Sequence, residues 1–427
     1  MSRNLVDRGI DWLGHIPEHW DFQKGKYLFQ QRIERGNNIE LQLLSPTQKY
    51  GCIPQSLYEE LTGATTVKLN DKTDLNLLKT IHSGDFCISL RSFQGGFEYS
   101  LFEGVVSPAY QVFFPINDNV YRGYYKYMFK DGAFIEKMNS FTLSLRDGKN
   151  IAFADFGNTL LPVPPIEEQQ IIAHYLDKKV EEIDSAIKEA NELIDKYKSY
   201  KQSIIIKTVT KGLLPNVSMK DSGIKWIGEI PEHWNIYPLY LYFTERKCIN
   251  YGMQNQNLLS LSYGKIIRKD INANDGLLPE SFITYNIVEA NDIIIRPTDL
   301  QNDKKSLRTG LVTERGIITS AYIALQPRQS YPSKYYHYVL HSADVCKVFY
   351  NMGKGVRQGL NYSEFSKLMI ISPPIEEQQD IVEYLDDKCT QIDSIIESKN
   401  NLIKQLQEYK KSIIFEYVTG KKEVPNG

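Results

Sequence analysis

The stretch PPIEEQQIIAHYLD at residues 164–177 and its near copy PPIEEQQDIVEYLD at residues 373–386 decide the fold, because each opens a long repeated segment. Residues 164–210 and 373–419 align without a gap, and 26 of the 47 paired positions are identical. Proline suits the first turn of a helix, and the two glutamates that follow place negative charge at its positive end. Neither segment contains proline or glycine after that turn. The repeat therefore predicts two long helices.

Apolar side chains in both segments recur every three or four residues, which keeps them on one face of a helix. Lys201 and Lys410 also fall on this face, where a charged side chain can specify register. A face of this length needs a partner of equal length, so we expect the two helices to pair with each other as an antiparallel coiled coil. The alternatives are packing of each helix on its neighbouring domain and pairing between two copies of the chain. The predicted seam consists of Leu176, Ile183, Ile187, Ile194, Ile204, Leu385, Ile392, Ile396, Ile403 and Ile413.

A second repeat precedes each variable segment: GIDWLGHIPEHW at residues 9–20 and GIKWIGEIPEHW at residues 223–234, identical at nine of twelve positions. We expect its tryptophan to anchor the chain where a domain begins. Residues 21–163 and 235–372 share little identity, and both contain short β-branched or aromatic runs between turn residues. The predicted fold is α+β, with two mixed α/β domains in a pseudo-two-fold arrangement, separated by the two helices. The expected segments are residues 1–163 (first domain), 164–211 (central helix), 212–372 (second domain) and 373–427 (distal helix and tail).

The composition of the 427 residues, 42% apolar and 24% charged, is typical of a globular multidomain protein. A net charge of −2 excludes a uniformly basic polyanion binder, although residues 212–372 carry 18 basic against 14 acidic side chains. We find neither a signal-peptide core nor a membrane-length apolar run, so we expect a cytoplasmic protein. The five cysteines are scattered without a CxxC pair, which indicates neither a disulfide framework nor a zinc site.

Sequence motifs of common enzymes are missing from the chain. It contains no GxxxxGK[ST], no GxGxxG after a strand, no HExxH and no GxSxG. The Pro-Pro pairs read Val-Pro-Pro-Ile and Ser-Pro-Pro-Ile, not the Asp- or Asn-Pro-Pro-aromatic tetrapeptide of adenine methyltransferases. We therefore expect a non-catalytic chain that has no catalytic residue, metal or cofactor of its own.

The doubled arrangement of IPEHW starts, PPIEEQQ helices and dissimilar domains resembles the specificity subunit of type I restriction–modification enzymes. The resemblance covers essentially the whole chain. It implies that each variable domain is a target recognition domain reading one half of a bipartite, asymmetric site in double-stranded DNA. It further implies that the helices set the spacing and dock methyltransferase subunits, two of them expected. S-adenosylmethionine, ATP and Mg²⁺ would then belong to those subunits and to a restriction/translocase subunit.

Loops rich in glycine and basic or amide side chains are the predicted DNA contacts, because such side chains distinguish base edges and glycine permits close backbone approach. In the first domain these are Arg91, Gln94, Arg146 and Lys149. In the second domain they are Arg296, Gln301, Asn302, Lys304, Lys305, Arg308, Lys354, Arg357 and Gln358.

Two other functions fit the sequence. A coiled-coil adaptor could bind proteins through its globular ends without binding DNA. A related restriction system that fuses methyltransferase and nuclease in one polypeptide could also use such a specificity subunit. Salt-dependent binding to duplex DNA in the presence of a methyltransferase partner separates the adaptor from the DNA readers, and the identity of that partner separates the two restriction systems.

Overall fold

The computed structural model describes residues 3–35, 42–65, 75–88, 96–141, 151–273, 279, 281–298, 300, 307–329, 331–352 and 359–425. The chain forms two compact units, residues 1–190 with 400–427 and residues 191–399. Each unit therefore combines one variable domain with a part of both repeated helices. The unit boundaries fall inside the helices and not at the ends of the variable segments.

The first unit contains short strands and helices. The strands are β1 (Leu5–Asp7), β2 (His15–Pro17), β3 (Asp21–Lys24), β4 (Phe29–Gln31), β5 (Leu44–Thr47), β6 (Gly51–Pro54), β7 (Lys79–Ile81), β8 (Phe86–Ile88), β9 (Phe97–Tyr99), β10 (Gly104–Val106), β11 (Gln111–Pro115) and β12 (Leu160–Val163). The helices are α1 (Gly25–Leu28), α2 (Gln55–Thr62), α3 (Arg122–Met128), α4 (Gly132–Ser140) and α5 (Phe153–Asn158), with a 3₁₀ turn at Leu75–Leu77.

The second unit repeats this pattern. Its strands are β13 (Met219–Asp221), β14 (Glu229–Pro231), β15 (Asn235–Pro238), β16 (Phe243–Glu245), β17 (Leu259–Ser262), β18 (Lys265–Arg268), β19 (Asn286–Val288), β20 (Ile293–Ile295), β21 (Thr309–Leu311), β22 (Gly316–Ile318), β23 (Ile323–Pro327) and β24 (Met369–Ser372). The repeated helices are α6 (Ile166–Lys211) and α9 (Ile375–Val418), and the short ones are α7 (Ser333–Val345) and α8 (Tyr362–Phe365), with 3₁₀ turns at Leu239–Leu241, Tyr251–Met253 and Val348–Asn351.

Strand pairing is the same in the two variable domains, although their sequences differ. The first domain has a four-stranded antiparallel sheet in the order β4-β11-β8-β9, and the second has β16-β23-β20-β21. The two-stranded pairs also correspond: β1-β2 to β13-β14, β3-β12 to β15-β24, β5-β6 to β17-β18, and β7-β10 to β19-β22. The described strands therefore show that the domains are two versions of one fold.

The repeated helices run antiparallel in each unit, as predicted. In the first unit the start of α6 packs on the end of α9: the rings of Tyr175 and Tyr417 lie 4.6 Å apart, and Lys410 Nζ donates to Asp184 Oδ2 at 2.7 Å. In the second unit Lys201 Nζ donates to Asp393 Oδ1 at 2.6 Å. Each lysine of the seam thus pairs with an aspartate of the other helix. All ten predicted seam side chains are buried or half-buried.

In each unit the IPEHW repeat contacts the PPIEEQQ repeat at the start of a long helix. This contact explains why the two repeats occur together twice in the chain. Trp20 is buried, and its Nε1–H donates to Glu168 Oε2 at 2.9 Å in the first turn of α6. Trp234 is buried in the same way and donates to Glu377 Oε2 at 2.9 Å in the first turn of α9. The predicted anchoring role of these tryptophans is therefore confirmed. None of the described helices is long and apolar enough to cross a membrane.

Candidate nucleic-acid interface

The predicted DNA contacts fall in two connections that occupy equivalent positions in both domains. One connection joins β8 to β9 and, in the second domain, β20 to β21. The other leads from α4 to α5 and, in the second domain, from the turn Val348–Asn351 to α8. Most of the predicted side chains lie outside the described residues: Arg91, Gln94, Arg146, Lys149, Gln301, Asn302, Lys304, Lys305, Lys354, Arg357 and Gln358.

The described ends of the two connections lie side by side in the second domain. The backbone N–H of Leu360, just after the second connection, donates to Pro297 O at 3.0 Å, just before the first. The backbone N–H of Arg296 donates to Arg308 O at 2.8 Å, which brings the two ends of the first connection together. Arg296 itself is half-buried at this base. The described ends of both connections in the second domain therefore lie at one place.

Arg308 is a correction to the predicted contacts, because its side chain is fully buried, with 0% exposure. Its guanidinium donates to the carbonyl of Thr298 at the start of the first connection, and its backbone N–H donates to the buried carboxylate of Asp344 on α7. The guanidinium also lies 5.3 Å from the ring centre of Tyr350, near the start of the second connection. Arg308 thus braces both connections and cannot reach a base edge from this position.

A buried ion pair, which the sequence analysis missed, holds the central sheet of each domain. Arg32 Nε donates to Asp85 Oδ2 at 2.7 Å, and Arg246 Nε donates to Asp292 Oδ2 at 2.5 Å. The second guanidinium nitrogen completes a fork in each case, at 3.1 Å. Both aspartates are at most 1% exposed, and burial raises the pKa of Asp292. The same ion pair therefore occurs at equivalent positions in two domains of little sequence identity.

A local signal could have found the aspartates of these pairs. Each one follows a residue with positive φ and precedes a buried strand: Gly84 has φ 89° before Asp85, and Asn291 has φ 74° before Asp292. Gly and Asn are the residues that adopt this conformation most readily. The arginine partners lie 53 and 46 residues away and could not be assigned from spacing.

A second missed residue is the first glutamine after the Glu-Glu pair in each long helix. Gln169 is fully buried; its amide donates to Asn119 O and Pro164 O at 2.8 Å and accepts from Tyr121 N at 2.8 Å. Gln378 is buried at the matching position and donates to Pro373 O at 2.9 Å. These amides connect each domain to the helix that follows it, so the PPIEEQQ segment positions the domain as well as starting the helix.

Buried ionisable groups differ between the two units. In the first, burial raises the pKa of Glu98 to about 7, although Lys130 Nζ lies 2.7 Å away. In the second, burial lowers the pKa of His337 to about 3 and that of His341 to about 4. No cluster of three or more His, Cys, Asp or Glu side chains suited to a metal ion occurs among the described residues.

Comparisons with known proteins agree with this architecture. The family model of the type I restriction modification DNA specificity domain matches residues 21–196 and 317–408. The type I restriction enzyme MjaVIII specificity subunit of Methanocaldococcus jannaschii is 26% identical over 305 residues, which is 67% of this chain and 68% of that protein. The type I restriction enzyme EcoBI specificity subunit of Escherichia coli is 22% identical over 290 residues, 62% of this chain and 59% of that protein.

Solved structures show the same fold. A chain from a study of complex assembly and conformational transition of the type I R-M system superposes with a TM-score of 0.69 at 15% identity, covering 95% of this chain and 99% of that one. The HsdS subunit from Thermoanaerobacter tengcongensis gives a TM-score of 0.53 at 15% identity, covering 95% and 98%. With the family model matching more than half of its residues, the chain belongs to the type I restriction–modification DNA specificity family.

Proposed function

We propose that this chain recognises a bipartite, asymmetric DNA site, with one half read by each variable domain. As a member of the specificity family, the chain is the DNA-recognition component of a restriction–modification system and not its catalytic one. The observation that carries the bipartite site is the identical strand pairing of the two domains combined with different loops at equivalent positions. One fold used twice with different loops gives two readers of one kind with different specificities.

The second domain supports a reading role through the common base of its two connections. Leu360, Pro297 and the Arg308 brace hold the ends of both segments together. Arg296 and the basic and amide side chains beyond this base would then reach the same stretch of duplex. Side chains that contact phosphates supply most of the affinity, and those that reach base edges supply the sequence preference.

The continuous helices α6 and α9 support a spacing role. Each contributes to both units, so a change of helix length alters the connection between the two readers without touching either one. A heptad added to each helix would lengthen it by about 10 Å and preserve the apolar face. About three base pairs of B-form DNA span that distance. We therefore expect such a variant to recognise the same half-sites with a longer gap.

Assembly with methyltransferase subunits is the remaining part of the proposal. The structural relative from the type I R-M study comes from work on complex assembly. We propose two methyltransferase subunits, because the helix start, with its Trp–Glu and glutamine contacts, occurs once in each unit. In this scheme the partner subunits bind S-adenosylmethionine and ATP with Mg²⁺, and this chain supplies the site choice.

The experiment is to co-express the chain with its cognate methyltransferase subunit in a methylation-free bacterial host and to map N6-methyladenine across the genome. A single split motif with unlike halves is the expected result. Replacing residues 235–372 with the corresponding segment of another family member should change one half only. A soluble, active complex that methylates at no defined motif and shows no salt-dependent binding to duplex DNA would favour the protein-adaptor function instead.

A further inference from the structure

A cavity of about 620 Å³ lies within the second unit. It is bounded by α7, by the hairpin of β17 and β18, and by the parts of α6 and α9 that belong to this unit. His337, His341 and Cys389 line it together. Tyr263, 90% exposed at the tip of the hairpin, stands at its rim. The DNA-reading proposal uses none of these side chains.

The two histidines each present a buried ring nitrogen without a hydrogen-bond partner in the described part of the chain. These atoms are Nε2 of His337 and Nδ1 of His341. The His337 ring also bonds to the backbone of Thr309, and the two ring centres lie 6.2 Å apart. Leaving a buried polar atom unpaired costs about 1–3 kcal/mol, so two such atoms on residues that line one cavity indicate that something binds there.

The first unit shows which side chains occupy the positions that match His337 and His341. Tyr124 and Tyr335 each donate to a carbonyl near the end of a long helix, Val418 O and Val209 O. This match aligns α3 with α7, so that Lys126 and Lys130 correspond to His337 and His341.

Both lysines of the first unit have carboxylate partners. Lys126 pairs with Asp177 at 2.6 Å, and Lys130 pairs with Glu98 at 2.7 Å. The strand registers align Glu98 with Gly310, so the carboxylate that would face His341 is missing from the second unit. Cys389 likewise replaces Val180 in the helix repeat. The second unit has thus exchanged two paired lysines and a valine for two histidines and a cysteine.

We propose that His337 and His341 bind a divalent transition-metal ion of the zinc class in this cavity. Histidines four residues apart lie on the same face of a helix, and imidazole nitrogen is a preferred ligand of these ions. The bond from the His337 ring to a backbone group is the usual way in which a ligating histidine is oriented.

The surroundings of the pair fit an open site with few protein ligands. The cavity has room for the water molecules that complete the coordination. Four lysines line the cavity, and each has a carboxylate within 4.0 Å. Lys334 pairs with Asp386 at 2.5 Å and Lys198 with Asp195 at 3.3 Å, while Lys201 and Lys265 share Asp393 at 2.6 and 4.0 Å. Two ligands and exchangeable waters give a site of moderate affinity whose occupancy follows the metal supply.

Titration calorimetry of the metal-free full chain with Zn²⁺ tests the proposal. The wild type should bind one equivalent saturably, and His337→Gln and His341→Gln should each weaken that binding at least tenfold. His174→Gln is the matched control, because His174 is exposed in the first unit and should be dispensable. Zn²⁺ should also raise the unfolding temperature of the wild type and the control, but not that of the two cavity variants.

Circular dichroism of each variant without metal shows whether it is folded. Wild-type protein without a saturable site would overturn the proposal. So would folded His337→Gln and His341→Gln variants that bind Zn²⁺ like the wild type. An equal loss of Zn²⁺ binding in the His174→Gln control would show that surface histidines account for the binding, and it would also overturn the proposal.

Discussion

The two variable domains share every described strand pairing but fill and brace that fold with different side chains. The first packs aromatic rings around its sheet: the ring centre of Phe86 lies 5.4 Å from that of Phe113 and 5.1 Å from that of Phe129. The second uses aliphatic strands such as β20, Ile293–Ile295, and pairs the backbone N–H of the buried Arg308 with the buried carboxylate of Asp344. Side chains that stay the same include the Arg–Asp fork, the tryptophan anchor, the buried glutamine and the helix seam.

This difference separates residues that maintain the fold from those free to change with specificity. A fork between two distant elements fixes their distance and orientation, so it tolerates little substitution. An apolar core tolerates extensive replacement if volume and pattern are kept. We propose that the loops, which differ in sequence, give the two domains their different DNA preferences.

Removing the buried carboxylates tests most strongly whether the domains share one framework. Asp85→Ala and Asp292→Ala should each cost about 3–5 kcal/mol of unfolding free energy, because each leaves a mostly buried arginine without its partner. Urea unfolding of both variants provides the measurement. Asp195→Ala, in an exposed pair, is the control and should change little. A large loss in one domain with none in the other would show that the forks are not equivalent.

Glu98 should make the first unit lose stability as the pH rises to neutral, whereas Gly310 occupies the matching position in the second unit. The pKa of Glu98 is raised from 4.5 to about 7 in the folded chain, so the folded state holds the proton more tightly than the unfolded one. Stability from this group is therefore present at pH 4 and lost as the pH rises through about 7.

His337 and His341, whose pKa values burial lowers, give the opposite dependence in this range, so the effect of Glu98 is read as a difference between two proteins. The unfolding free energy of the wild type minus that of Glu98→Gln, which cannot ionise, should fall by about 2–3 kcal/mol between pH 5 and pH 8 in urea unfolding. A wild-type profile that the substitution leaves unchanged would contradict the assignment.

Arg308→Leu tests the brace of the second domain against a direct DNA contact. The variant should bind DNA at least tenfold more weakly, because the two connections lose their common support, while the slope of affinity against salt stays unchanged. Arg296→Ala should instead lower that slope by about one, as expected for a lost phosphate contact. Fluorescence anisotropy with a labelled duplex at several salt concentrations distinguishes them. A reduced slope for Arg308→Leu would return this residue to the DNA surface.

The smallest expected difference between the two units concerns the tryptophan anchors. Trp20→Phe and Trp234→Phe each remove one hydrogen bond to a glutamate at the start of a long helix. The lost bond should cost about 1 kcal/mol of unfolding free energy, since His19 and His233 still contact these carboxylates, and the smaller ring should add the same cavity cost in both buried sites. The two substitutions should lower the unfolding temperature equally. Clearly unequal losses would mean that the two IPEHW repeats have different structural roles.

The helices and their pairing could be predicted from the sequence, because a repeat of apolar positions is local and each helix had only one partner of equal length. The common sheet could not, since strands as short as Phe86–Ile88 are buried on both faces and show no alternation. The burial of Arg308 could not be predicted either, because a basic residue beside a loop is usually exposed. Its partner Asp344 lies 36 residues away on another element.

We propose that one fold, used twice, reads two different half-sites. A chimaera that carries residues 235–372 in place of residues 21–163 as well as in their own position is the strongest test of this proposal. Co-expressed with the methyltransferase subunit, it should methylate a split motif whose two halves are copies of the second half-site, at the original gap. A motif that keeps its two unlike halves, or a folded and assembled chimaera that methylates at no defined site, would contradict the account.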